Sequence, residues 1–434
     1  MKSYLSPLMC ALLAAPAFAQ EPPDTAKRVA DLERKLEILS RELEAQKTGS
    51  ASPVAKEAGQ HGLAPAASKV YESKGGLSLG GYGELTYENY AQKLQDGTRD
   101  PKSPVADTLR LILYTGYKFS DSVLFNAELE FEHGGYSDEH VEGEVKVEFA
   151  YFDFLFNKAF NLRAGKVLLP LGFVNEIHEP PTVLSVKRPF TEKYIIPTTW
   201  SEIGVGAHGE FGPGLSYRTY VSTGLQATNR GAGLTGGFAA NGIQGGRQDG
   251  KEAFARSLAL SGRLDWSPTP GTTLGVGHFT GNSGTNTETG EGPTIRTSVS
   301  EFHAEYRASG LQLRGLFASY TNSRAGVEAL PLGDEARAVG LKATGGYLEA
   351  GFDVFNGRCG RQALIPFLRL ERLNTQKEVA LGEGVDPASA RRITTVGLSY
   401  KPLPQVAVKA DFMKVQNEAR TGRNQFNLAL GYYF

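Results

Sequence analysis

The side chains in this sequence that could do chemistry are charges set into alternating runs. Arg110, Arg218, Arg263, Arg307, Arg314, Arg369 and Lys409 lie in such runs, as do Glu84, Glu128, Glu130, Glu132, Glu148, Glu301, Glu305, Glu349 and Asp411. Successive side chains of a strand point to opposite faces, so these charges share one face while leucines and aromatics share the other. The chemistry of such a face is ion recognition by fixed charges around a polar interior. Acids slightly outnumber bases on it, and a mixed wall does not by itself select anions. The charges could also pair with one another and stiffen the wall.

A second group of charges lies in the long segment 169–201, LPLGFVNEIHEPPTVLSVKRPFTEKYIIPTTWS. Lys187, Arg188 and Lys193 stand there with Glu176, Glu179 and Glu192. The same segment carries five prolines and the aromatics Phe173, Phe190, Tyr194 and Trp200. A loop this apolar is out of place in open water. Folded back into a lumen it would make a constriction; otherwise it covers the mouth or packs on a neighbour. Candidate constriction residues are Lys187, Arg188, Lys193, Glu176 and Glu192.

The elements that must hold these groups are strands. At the end of the chain Phe426, Leu428, Leu430, Tyr432 and Phe434 share one face, and Asn427, Ala429, Gly431 and Tyr433 the other. That suits a strand with lipid outside and water inside. It resembles the terminal strand of bacterial outer-membrane barrels, in which the aromatic end, here Phe434, is the signal read by the barrel-assembly machinery. Further runs are Leu109 to Phe119, Val123 to Phe131, Phe302 to Tyr306 and Val406 to Phe412. From Val145 to Phe156 both faces become apolar, which a β-bulge or burial against another subunit would explain.

The N-terminus reads as a secretion signal over 1–19: Lys2, an apolar stretch from Leu8 to Ala15, and Ala17-Phe18-Ala19 before the cut. No other stretch approaches about 18 apolar residues, so membrane insertion would have to use a closed barrel. The hydrophobic fraction of 40% fits a large barrel, in which only alternate strand residues meet lipid. A net charge of −1 argues against a nucleic-acid partner. Cys10 leaves with the signal, and Cys359 alone cannot form an internal disulfide.

Residues 20–47 carry Val29, Leu32, Leu36, Leu39 and Leu43, stepping by threes and fours. This is the seam of a short periplasmic coiled coil, or the apolar face of a single helix lying on a barrel. Residues 48–75 read as a flexible linker rich in Ala, Ser, Gly, Pro and Lys. From 76 to 434 short and long connections alternate. Both termini should share a side, so the count must be even. Reading Ala336 to Ala343 as loop or short helix gives about 16 strands, with about 18 as the alternative.

Four stretches together resemble the phosphate-selective porin O and P family of outer-membrane channels. They are Gly165-Lys166 through Pro170-Leu171-Gly172, Arg188-Pro189-Phe190, Gly345 through Asp353, and Pro366 through Glu371. The resemblance covers about residues 76–434. It implies an all-β transmembrane antiparallel barrel, a homotrimer, and passive diffusion of small solutes or inorganic anions such as phosphate. The wall bases named above are then pore-wall residues. A structural or adhesive barrel tethered through its coiled coil is the alternative, with a barrel hydrolase behind it.

No enzyme motif appears. Gly-x-Ser-x-Gly is absent, and the Gly-rich run Asn229 to Gly250 lacks the Gly-Lys-Ser/Thr ending of a phosphate loop. His178-Glu179 and the pair His133 and His140 have no second ligand pair at a diagnostic spacing, so neither a metal nor a cofactor is expected.

Overall fold

Sixteen alternating runs become sixteen antiparallel strands, each bonded to its neighbours in sequence, with the last closed on the first. The computed structural model describes residues 62–138, 141–230 and 235–434, together with Leu32, Arg34 and Lys35. The strands begin with β1 (Gly76–Tyr90), β2 (Val105–Ser120), β3 (Val123–Asp138) and β4 (Val141–Leu155). Next come β5 (Asn161–Leu168), β6 (Ser201–Phe211), β7 (Leu215–Thr223) and β8 (Leu258–Trp266). Then follow β9 (Thr272–Asn282), β10 (Arg296–Ala308), β11 (Leu311–Asn322) and β12 (Lys342–Phe352). The last four are β13 (Ala363–Glu378), β14 (Ala390–Leu403), β15 (Val406–Asn417) and β16 (Gln425–Tyr433).

The count is 16 rather than 18. The segment read as loop or short helix holds a 3-10 turn at Glu335–Ala338, capped by the Asp334 carboxylate, and β12 begins only at Lys342. Leu85 faces Leu430 where the ends of the sheet meet. Phe434 N–H donates to Gly81 O at 2.9 Å and Gly81 N–H to Phe434 O at 3.1 Å. A Cβ at Gly81 would lie 2.4 Å from Ile112 O and 2.9 Å from the Phe434 ring. The terminal aromatic thus needs glycine beside it.

The faces follow the alternation. Phe426, Leu428 and Leu430 are exposed outward, and Asn427 and Ala429 are buried inward. A closed barrel satisfies every backbone group within its ladder and leaves no edge. Between β3 and β4 the register shifts at Glu128/Leu129. Glu128 faces Phe149 and Leu129 faces Val147, so Glu148 is the extra residue. This bulge is the phase slip read in the sequence. It turns both Glu148 and Phe149 into the lumen, each about 1% exposed.

One part of the predicted linker is ordered. Residues 62–73, including α1 (Lys69–Glu72), enter the barrel from the short-turn end. Leu63, Ala66 and Ala67 join Tyr82, Ile112, Tyr114, Phe149, Tyr151, Val167 and Tyr220 in one apolar cluster, with Tyr71 against it. The reading of 48–75 as flexible chain therefore does not hold for its second half; small alanines fit close to the wall, and Leu63, Val70 and Tyr71 supply buried area. A second cluster fills the long-loop half. In it Leu169, Leu171, Val174, Ile195 and Trp200 meet Leu225, Phe238, Val327 and Val339 from other loops. Of the coiled-coil seam, Leu32 is helical and exposed; Val29, Leu36, Leu39 and Leu43, the signal segment and residues 48–61 lie outside the described residues.

Candidate functional site

Residues 169–200 leave β5 and return to β6, and between those ends they cross the lumen. The base is closed by one side chain. Asn175 donates to Leu169 O at 2.6 Å and Trp200 O at 3.0 Å, and accepts from Trp200 N–H at 2.6 Å. Trp200 is fully buried against Phe279, ring centres 4.5 Å apart. This fixes both ends of the loop at one level.

From there the loop is bonded to the wall in turn. Glu176 meets Arg218 at 2.9 Å and Arg263 at 3.8 Å. Pro180 takes the space that a Cβ on Gly431 of β16 would fill, 2.4 Å away. Val186 N–H donates to Asp411 on β15 at 2.6 Å, and Lys409 donates to Ser185 O at 3.1 Å. Arg369 on β13 reaches Lys187 O at 3.0 Å, Glu349 at 3.3 Å and the Ser185 hydroxyl. Phe190 N–H donates to Glu371 at 3.0 Å, and Thr191 N–H to its other oxygen.

The single turn α2 (Thr191–Tyr194) returns Glu192 toward the start of the loop. Its carboxylate accepts from Phe173 N–H at 2.8 Å, Val174 N–H at 2.7 Å and Tyr347 O–H at 2.6 Å. Gly172 makes this approach possible. Its φ is +66°, and a Cβ there would sit 2.5 Å from the Glu192 carboxylate. Burial pushes the Glu192 carboxyl above its usual range even against the pull of these donors.

The candidate constriction residues therefore occupy different places. Lys187 pairs with Glu88 on β1. Arg188 is half-buried and donates to Thr198 Oγ1 at 3.2 Å; burial lowers its pKa. Lys193 is exposed, 5.6 Å from the centre of the Tyr194 ring. Glu176 and Glu192 are buried and engaged as above.

The wall residues all face inward, and all but Arg110 are hydrogen-bonded. Arg218 and Arg263 share Asp265 at 2.9 and 2.8 Å. Arg307 and Arg314 share Glu305 at 2.8 and 2.7 Å. Arg314 also lies over the Phe173 ring at 4.6 Å. Arg110 makes three longer contacts, to Glu84 at 3.8 Å and to Glu130 and Glu132 at 3.9 Å. Mutual pairing, one of the two readings of the sequence, is what the fold shows. Between the loop and β10–β12 a cleft of 10 Å³ is bounded by Thr182, Glu305, Arg307, Arg314 and Glu349. That is about the space of one water.

The N-terminal segment meets the loop from the other end. Glu179 Oε1 accepts from Ala66 N–H at 2.8 Å and Ala67 N–H at 3.2 Å, and burial lifts its pKa to about 8. Gly62, with φ +67°, lies against Arg218 and Glu176. Tyr71 donates to Asp153 at 2.6 Å, where Arg163 and His208 also converge at 2.8 Å. The sequence reading missed this half of the site. Its signal was present: Leu63, Val70 and Tyr71 interrupt an otherwise small and polar stretch.

A cavity of 540 Å³ lies elsewhere, lined by Phe317, Gly346, Arg372, Lys377 and Arg392 near the long-loop rim. Phe317, Arg372 and Arg392 are on the outward face, so the cavity is not the lumen.

No family model matches the chain. A protein of Aquifex aeolicus (strain VF5), described as uncharacterized, is 37% identical over 380 residues, covering 86% of this chain and 83% of the relative. Among solved structures, Salmonella typhi OmpF in complex with daunomycin aligns with a TM-score of 0.55 at 14% identity, covering 83% of this chain and 98% of that one. The anion-selective porin from Comamonas acidovorans aligns at 0.52 and 11%, over 83% and 100% of the two chains. The outer-membrane channel DcaP of Acinetobacter baumannii aligns at 0.52 and 12%, over 83% and 99%. At these identities the likeness is one of fold.

Proposed function

We propose, for a chain that belongs to one family with the Aquifex aeolicus protein and has the fold of 16-stranded porins, that it is a passive outer-membrane channel for small hydrophilic solutes. One observation carries the reading: a closed barrel, apolar outside and charged inside, is crossed by a loop bonded to wall strands including β1, β13 and β15 and packed against β16. A soluble protein has no use for an outward belt of exposed apolar side chains such as Leu85, Leu111, Phe152, Leu260, Phe302, Leu348, Leu370 and Leu428. The loop and residues 62–73 set the size limit together, one from each mouth. Solutes cross by diffusion, without a catalytic step.

The homotrimer, the periplasmic coiled coil and insertion by the assembly machinery belong to this reading. They are supported by the porin-type fold and by the heptad spacing of the N-terminus. Preference for anions such as phosphate is the finer form of the proposal. Lys193, exposed in the lumen loop, favours it; the pairing of the wall arginines opposes it, because a paired guanidinium offers a passing anion no net charge. We therefore favour weak selectivity.

Reversal potential across a planar bilayer under a salt gradient tests this. A value near zero, without block by millimolar phosphate, is the expected result. Strong anion selectivity with phosphate block would establish the finer form instead. Folded protein that loosens the envelope when deleted yet never conducts would favour the structural or adhesive reading.

A further inference from the structure

The acceptors around His178 outnumber the donors. Glu128 on β3 and Glu148 on β4 point into the lumen side by side, because the bulge supplies Glu148 as the extra residue. His178 comes to them from the infolded loop. Its Nε2 lies 3.4 Å from Glu128 Oε1 and 4.0 Å from Glu148 Oε1. One ligand atom from each of the three residues can be chosen within 4.8 Å of the other two. All three residues are at most 4% exposed.

The tautomer of His178 follows from its other nitrogen. Nδ1 lies 3.1 Å from the Asn175 carbonyl oxygen, which can only accept, so Nδ1 carries the proton. Nε2 is then a bare lone pair aimed at two carboxylates. Among the described residues, neither oxygen of Glu148, nor Oε2 of Glu128, has a hydrogen-bond donor. Among the described residues no Lys or Arg comes within ion-pair distance of either carboxylate; Lys146 and Arg110 go to Glu130 instead. Tyr82, edge-on to His178 with ring centres 6.0 Å apart, has a buried hydroxyl without a partner.

Lone pairs from three residues converging with no donor among the described residues are the arrangement a cation site requires. We propose that Glu128, Glu148 and His178 bind a divalent transition cation of the zinc type, which ties the infolded loop to β3 and β4. One imidazole with two carboxylates suits zinc-like cations better than calcium or magnesium, which take mostly oxygen in larger or octahedral shells. Bonds of about 2.0–2.1 Å at tetrahedral angles separate two ligand atoms by about 3.3 Å, close to the observed Nε2–Oε1 contact. The carbonyl of Asn175 orients the imidazole from behind, as the partners of metal-bound histidines do. The same Asn175 closes the base of the loop, so the site and the loop anchor share one residue. The proposal does not depend on the channel reading.

The test uses the full-length folded protein in detergent. It is stripped with chelator and titrated with Co²⁺ and then Zn²⁺, with metal content measured by mass spectrometry. One Zn²⁺ per chain, visible ligand-field bands with Co²⁺, and no displacement by excess Mg²⁺ or Ca²⁺ are expected. Glu148→Gln should weaken binding at least about tenfold, and His133→Ala should leave it unchanged. The Gln variant keeps the shape of the side chain, and the folded fraction is read from heat-dependent gel migration. Wild type that takes up no metal overturns the proposal. Equal uptake by Glu148→Gln and His178→Gln overturns it too, and would place the binding elsewhere.

Discussion

Two sectors of the lumen wall hold the same kinds of residue in opposite states. From β7 to β13 every carboxylate that faces the loop has close donors. Asp265 has Arg218 and Arg263, Glu305 has Arg307 and Arg314, and Glu371 has two backbone N–H groups of the loop. Around β3 and β4 the carboxylates crowd together. Glu130 and Glu132 share Arg110 and Lys146, and among the described residues Glu128 and Glu148 have only a histidine. The first sector is a fastening, because buried charges that are paired and hydrogen-bonded hold their geometry. The second has acceptors to spare, which is the condition for taking up a cation. The same kinds of acidic residue in two stretches of sequence can thus serve different ends, according to whether donors arrive.

The comparison breaks first at Arg369. This side chain is fully buried and holds Glu349, the Ser185 hydroxyl and Lys187 O. Arg369→Ala leaves Glu349 buried without its partner, at a cost of about 3–5 kcal/mol. Thermal unfolding in detergent should show it, with new protease cleavage near Val186. Next is Glu192→Ala, which strips the Phe173 and Val174 N–H groups and the Tyr347 hydroxyl of their acceptor. A loss of about 2–3 kcal/mol is expected. Gly172→Ala forces a left-handed backbone onto alanine and crowds the same carboxylate. It should cost about 1–2 kcal/mol and raise current noise.

In the acidic sector the sign should reverse. Glu148→Gln in metal-stripped protein replaces a buried carboxyl that has no donor among the described residues. It should leave stability unchanged or raise it by about 1 kcal/mol, while lowering stability when Zn²⁺ is present. A loss in both conditions would mean that the two sectors do not differ in the way described.

The barrel was legible because its rule is local. Alternation gave the faces, and the even strand count rejected Ala336 to Ala343 as a strand. The bulge showed as a phase slip between Val145 and Phe156. The site was less legible because its contacts join residues far apart in the chain. Sequence placed His178 beside Glu179, and that pair had no ligand spacing. The fold sends Glu179 to Ala66 and Ala67, and His178 to Glu128 and Glu148. Glu176 and Glu192 read as charges of a constriction, yet they are buried and engaged, because a loop folded into a lumen must satisfy its own backbone. Residues 62–73 carried apolar side chains that a flexible linker does not need, but composition alone did not show where they insert.

The central claim is that this barrel conducts and that the loop 169–200 limits it. Single-channel current in a planar bilayer tests it most directly, with wild type and Arg369→Ala measured side by side and folding confirmed for each. Small discrete steps from wild type, and larger, noisier steps from the variant whose loop has lost its anchor, are the predicted result. No current from either folded protein, or identical steps from both, would contradict the account.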